Sequence, residues 1–183
     1  MKKLLLSAIT TFVLINAASA QKYYTKNGNI SFFSKTSMEN IKADNNQVMS
    51  VLNTQTGEIQ FSLLIKSFHF EKALMEEHFN ENYLESDKFP KAGFKGTITD
   101  MSRVSFTTDG LYTVPVSGEM TLHGVTKKIT TTGTLTVKAG KISAISKFFI
   151  KLSEYNISIP SLVKDNIAES VEVNVNSSFD QKM

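Results

Sequence analysis

Apolar and polar residues alternate with a period of two along most of this chain, the pattern of strands with one buried face. Between Glu58 and Lys66, Ile59, Phe61, Leu63 and Ile65 share a face opposite Gln60, Ser62 and Lys66. From Leu111 the pattern is cleaner. Tyr112, Val114, Val116, Met120 and Leu122 oppose Thr113, Ser117, Glu119 and Thr121, with Pro115 among the outer residues. Proline donates no ladder hydrogen bond, so a bulge or a sheet edge is predicted there. The return strand sets Ile129, Gly133, Leu135 and Val137 against Lys128 and a run of threonines. Ile142, Ala144, Phe148, Ile150 and Leu152 form the next inner row. Val171, Val173, Val175 and Phe179 form the last, against Glu172, Asn174 and Asn176. Turns are predicted at Thr54–Gly57, Asp109-Gly110, His123-Gly124 and Ala139-Gly140, and Asn27-Gly28 predicts a hairpin near the start. Ile41–Asn53 reads as a strand bulged at Asn45-Asn46, and another strand is predicted over about residues 92–104.

One stretch breaks the alternation. In LMEEHFNENYLESDKFPKAGFKG, residues 74–96, Leu74 and Met75 are followed at i+4 by His78 and Phe79, which predicts a helix over about residues 71–82. Pro90 pushes Phe89 out of helical geometry, so the helix ends before it. A strand follows, with Ala92, Phe94, Gly96 and Ile98 on one face. This stretch, together with GEMTLHGVTKKI at residues 118–129, resembles the YceI-like family of bacterial lipid- or polyisoprenoid-binding proteins. The resemblance implies a lipocalin-like barrel and a lipid ligand. The patterning itself predicts an all-β fold with one inserted short helix. Its expected form is an extended antiparallel eight-stranded β-barrel, eight or nine strands in all. A two-sheet sandwich fits the same alternation.

The first twenty residues change the charge picture. Lys2 and Lys3, the apolar run Leu4–Ile15 and Ala18-Ser19-Ala20 read as a cleavable signal peptide, with residues 21–183 as the single barrel domain. The apolar run is short for a bilayer span, so no integral membrane anchor is expected, and the periplasm is the expected compartment. Losing 20 of 183 residues leaves 163, enough for one sizeable core. Losing two lysines reduces Lys+Arg from 20 to 18 against 17 Asp+Glu, which removes the main argument for a nucleic-acid partner. With no cysteine, disulfides and thiolate chemistry are excluded. Thirteen phenylalanines and no tryptophan supply the aromatic surface that an interior must absorb.

Candidate chemistry is sparse. His69, His78 and His123 could together ligate zinc, but nothing in their spacing makes them converge, and no metal or cofactor is expected. Glu76, Glu77, Glu81, Glu85 and Asp87 crowd around the helix, where a solvated face is the simpler account than paired catalytic carboxylates. No phosphate loop, nucleophile elbow or metalloprotease motif is present. What the family resemblance implies is a non-enzymatic binder of an isoprenoid-like or other long-chain lipid. Phe61, Leu63, Phe94, Met120, Leu122, Phe148 and Ile150 are its expected lumen contacts, with Phe79 and Tyr83 closing one mouth. Gly96, Gly118 and Gly133 are expected to leave space along the inner rows. Two rivals remain: a filled barrel with a protein partner or a stress-related structural role, and a hydrolase or isomerase for a small apolar substrate.

Overall fold

The structure is a computed structural model, described here for residues 21–183. The proposed signal peptide lies outside the described residues. Ten strands form in chain order: β1 Lys22–Lys35, β2 Asn40–Asn53, β3 Glu58–Leu64, β4 His69–Phe70, β5 Lys91–Ile98, β6 Gly110–Leu122, β7 Val125–Lys138, β8 Lys141–Lys151, β9 Ser170–Phe179 and β10 Gln181–Lys182. Among the described residues one α-helix, α1, spans Ala73–His78 and continues into a wider turn at Phe79–Tyr83. All ladders are antiparallel, in the order β1-β9-β8-β7-β6-β5-β3-β2, and a β1–β2 pairing closes the ring into an eight-stranded barrel. The two-residue strands β4 and β10 pair onto β2 and β1 outside that ring.

The inner rows are those the alternation predicts. Val114, Val116, Leu135, Val137, Ile142, Ala144, Val171, Val173, Val175 and Phe179 are all buried. The turns at His123-Gly124 and Ala139-Gly140 are two-residue loops with positive φ at both positions (50° and 73°, 49° and 75°). That is the turn geometry whose twist matches flanking antiparallel strands.

Three local expectations need correction. Asn27-Gly28 is not a hairpin, because β1 runs through it unbroken as a bulge. Gly28 is buried there between Ser177 and Ser50, whose hydroxyls would stand 2.9 and 3.0 Å from any added Cβ. The glycine permits close approach of strands, and the hairpin comes at Thr36–Glu39, closed by the Thr36 hydroxyl accepting from the Met38 and Glu39 amides. The predicted strand at 92–104 stops at Ile98. Asp100 ends it by accepting from the Ser102 amide and hydroxyl and from Arg103 Nε, which winds residues 101–103 into a 3-10 turn. Pro115 makes no bulge, since β6 stays in register with β7 from Gly110 to Leu122, but it does lie at an edge on its other side, where the β5 ladder stops at Val116. In a strand, a residue's nitrogen and carbonyl point the same way, and the Pro115 carbonyl faces Thr99, just where β5 ends. The missing N–H therefore falls at the end of a ladder, where least is lost.

The third correction concerns the glycines. Gly96 and Gly118 pair across β5 and β6, but the space above them is filled by the Phe94 ring. A Cβ on either would fall 2.4–2.7 Å from ring or backbone atoms. Gly133 does leave space, its nearest neighbours standing 3.8 Å from an added Cβ.

Candidate functional site

Strand direction sorts the connections onto two ends. The hairpin tip at 36–39, the long excursion between β3 and β5, the His123-Gly124 turn and residues 152–169 gather at one end, together with α1. At the other end lie the Thr54–Gly57 turn, residues 99–109 and the Ala139-Gly140 turn. This second end is solid. Leu52, Ile59, Ile98, Val114, Leu135, Val137, Ile142 and Phe179 form one buried cluster, capped by Tyr23, Met101, Phe106 and Tyr112.

The helix-bearing end holds a cavity of about 340 Å³ lined almost wholly by apolar side chains. It descends past Phe61, Phe94 and Met120 to Gly133, Leu135 and Ala144, and touches Ile59, Ile98 and Val114 at the top of the buried cluster. It is not lined by Leu52, Val137, Ile142 or Phe179. Over its upper part an aromatic cluster packs: Phe79 stacks on Phe32 at 5.4 Å and meets Phe68 and Phe70 at 5.6 and 5.0 Å. Edge-to-face and offset contacts of this kind add about 0.5–1.5 kcal/mol per pair beyond area burial. At six residues α1 is too short to stand on helix propensity, and half-buried Met75 and the Phe70 amide donating to Glu76 Oε2 hold it in place.

The wall beside the cavity is incomplete. β7 and β8 pair only from Gly133 with Ser146 to Lys138 with Lys141. Above that point Val125–Thr132 and Lys147–Lys151 are not paired with each other, and Ile129, Thr131, Ser146 and Phe148, beside this seam, all line the cavity. The Ser146 hydroxyl donates to the Thr132 carbonyl at 2.9 Å, a side-chain tie at the base of the separation.

Two polar ties join the excursions over the mouth. Glu39, next to the hairpin tip, accepts from Lys72 Nζ at 3.0 Å and from Asn166 Nδ2 at 3.2 Å. One carboxylate thereby links the tip, the start of α1 and the 152–169 segment. The Asn166 amide, then the Lys72 ammonium, hold the Glu39 carboxyl below the usual carboxylate range. The second tie is His123, buried in its turn. Nδ1 lies 3.0 Å from the Tyr155 carbonyl and Nε2 lies 2.9 Å from Glu85 Oε2. Both ring nitrogens thus face oxygen atoms of distant segments. Glu85 is held below the carboxylate range chiefly by this bond. Phe89 packs edge-on to the imidazole at 4.7 Å and leaves room only for a glycine at 124, where a Cβ would lie 2.5 Å from its ring.

All nine expected contact residues line the cavity: Phe61, Leu63, Phe79, Tyr83, Phe94, Met120, Leu122, Phe148 and Ile150. Burial raises the Tyr83 phenol above its usual range, so it stands there as a neutral hydroxyl. Residues the alternation did not single out line it as well. Phe32, Ile41, Met75, Val163 and Ile167 arrive from the hairpin, the helix and the late loop. Only the rising hydrophobicity of those loops could have flagged them.

The three histidines part company. His69 lies 3.6 Å from Glu76, His78 lines the cavity mouth, and His123 binds Tyr155 and Glu85. His123 is thus more than a turn residue bonded to adjacent backbone, since both partners lie over thirty positions away. Among the described residues no group of three or more His, Cys, Asp or Glu is placed to hold a metal ion. No helix among them is long and apolar enough to cross a membrane.

A family model described as the YceI-like domain matches residues 18–179. Among solved structures, a polyisoprenoid binding domain from Saccharophagus degradans implicated in plant cell wall breakdown is 18% identical with a TM-score of 0.73, covering 86% of this chain and 95% of its own. Burkholderia cenocepacia BcnA is 15% identical with a TM-score of 0.68, covering 82% and 95%. The Campylobacter jejuni YCEI protein is 13% identical with a TM-score of 0.54, covering 100% and 99%. No curated protein sequence matches. At these identities the structural likeness shows the fold, and the family model shows the family.

Proposed function

We propose, from the premise that this chain belongs to the YceI-like family, that it binds an isoprenoid-like or other long-chain lipid inside its barrel and carries or sequesters it. The observation that supports this reading most is the cavity. Its volume, about 340 Å³, lies within the range of roughly 300–1,000 Å³ usual for small-molecule sites, and its lining is predominantly apolar. The apolar tail lies along the barrel axis past Phe61, Phe94, Met120 and Phe148. A polar head stays at the mouth near Glu39, His78 and Asn166, the polar side chains at that level. Each methylene taken out of water contributes about 0.8 kcal/mol, so a partly covered chain already binds well. The polyisoprenoid-binding description of the Saccharophagus degradans domain points the same way.

The reading is of binding without turnover. The titratable side chains lining the cavity are Glu39, His78 and Tyr83, all at the mouth, and Glu39 is already engaged by Lys72 and Asn166. The apolar interior offers no acid–base pair to a bound substrate. Export to the periplasm, on the strength of the basic and apolar pattern in residues 1–20, completes the proposal.

Native mass spectrometry of the chain purified from its source, followed by solvent extraction, tests it. A long-chain apolar lipid at near one copy per chain is the expected result. A protein that is empty and takes up no long-chain probe would remove the lipid reading and leave the barrel as an interaction module.

A further inference from the structure

Three large apolar side chains stand out in solvent at the cavity end: Met38 at 70% exposure, Leu74 at 61% and Leu162 at 93%. They belong to three separate segments, the hairpin tip, α1 and the 152–169 loop. Singly exposed leucines are ordinary, and what matters is whether such residues share a surface. Here the Glu39 tie joins the three segments that carry them. Met38 precedes Glu39, Leu74 is two residues beyond Lys72, and Leu162 is four residues before Asn166. Ile41, Met75 and Val163, close by in the same segments, line the cavity itself.

We propose that this rim is a bilayer-contact surface, through which the cavity exchanges its ligand directly with a lipid phase. The inference rests on the lipid-binding reading above. A chain that prefers this cavity to water is scarce in water, so its source is a lipid phase, and the transfer is shortest when the mouth itself meets that phase. The charges around the rim decide the kind of contact. Lys35, Lys72 and Lys164 stand with Glu39, Glu71, Glu76, Glu77 and Asp165, so the rim carries no basic patch. Contact is therefore by shallow apolar insertion and does not require anionic lipid. The opposite end provides an internal control: Leu111, at the start of β6, is 74% exposed but lies at the solid end, away from the cavity.

The test measures transfer of a fluorescent long-chain prenol from neutral phosphatidylcholine vesicles to the full chain, alongside vesicle flotation. The triple variant Met38→Ser, Leu74→Ser, Leu162→Ser is expected to lower vesicle partitioning and slow transfer by at least about tenfold, with final occupancy unchanged. Leu111→Ser should match the parent. Raising salt from about 0.05 to 1 M should change the parent's partitioning by less than about twofold. All four positions are exposed, so the fold is not at risk. Equal transfer rates in parent and triple variant overturn the docking surface while leaving the lipid reading intact. Equal losses from Leu111→Ser, or a rim that governs self-association in vesicle-free sedimentation, overturn it too. If the parent takes up the prenol neither from vesicles nor from dilute solution, the lipid reading fails and this inference falls with it.

Discussion

The two ends of this barrel are made from the same alternating strands and yet pack to opposite outcomes. At the solid end, side chains that do not line the cavity pack together: Leu52 is 0% exposed, Val137 and Phe179 2% each, and Ile142 3%. At the cavity end the strands continue, but β7 parts from β8 and the core is an aromatic cover of Phe32, Phe68, Phe70 and Phe79 over empty volume. The difference teaches that one alternating pattern can build a core or a cavity. At the solid end the connections are Thr54–Gly57, residues 99–109 and Ala139-Gly140, none longer than eleven residues. Long ones, from Ile65 to Pro90 and from Leu152 to Glu169, hold the other end open and bring their own apolar residues as a cover.

Matched truncations would break this contrast most directly. Leu52→Ala opens a void in a packed cluster and should cost at least about 3 kcal/mol, the transfer loss plus an unrelaxed cavity. Leu122→Ala enlarges a space that already exists and should cost less than about 2 kcal/mol. Denaturant melts of the two variants decide the matter, and equal losses would mean that the two ends are packed alike.

A smaller effect sharpens the boundary between them. Gly118→Ala places a methyl 2.4 Å from the Gly96 Cα and Lys95 carbonyl and 2.6 Å from the Phe94 ring, so backbone must move. A loss of about 1–3 kcal/mol is expected, as for other overpacked sites. Gly133→Ala meets nothing closer than 3.8 Å and should stay within about 1 kcal/mol of the parent, with the sign favourable if its backbone suits alanine. Similar melts for both variants would mean that Phe94 does not fill the waist between β5 and β6.

The mildest prediction concerns pH. Glu39 and Glu85, which tie the mouth, both have folded carboxyl groups held below their usual range. Their contribution is therefore complete above the ordinary carboxylate value of about 4.3 and is lost as pH falls through the lower folded values. Acidification should loosen segments 36–39, 72–90 and 152–169 first, while β6 and β7 near Leu135 keep their protection. Asp100, the lowered carboxyl at the solid end, holds only its own turn. Hydrogen–deuterium exchange across that range measures the order of opening, and earlier loss of protection at the solid end would contradict it.

The amino-acid sequence determined by itself which side chains face inward, because the pleat places alternate residues on opposite faces whatever the partner strand. It determined the hairpins at His123-Gly124 and Ala139-Gly140 for an equally local reason, two successive residues that close a tight turn. It also carried the family, in the stretch from Leu74 to Gly96 and in the one from Gly118 to Ile129. Their meeting is a tertiary fact, since the Glu85–His123 bond that joins them spans 38 positions. Asn27-Gly28 had the local chemistry of a turn, and only the approach of Ser50 and Ser177 made it a bulge. Gly96 and Gly118 looked like space until Phe94 lay across them, and the Glu39–Asn166 tie at the mouth joins residues 127 apart. Periodicity is set by covalent geometry within a few residues. Whether an inward row meets another row, a ring or nothing is set by the closing of the barrel, and that is where the cavity was decided.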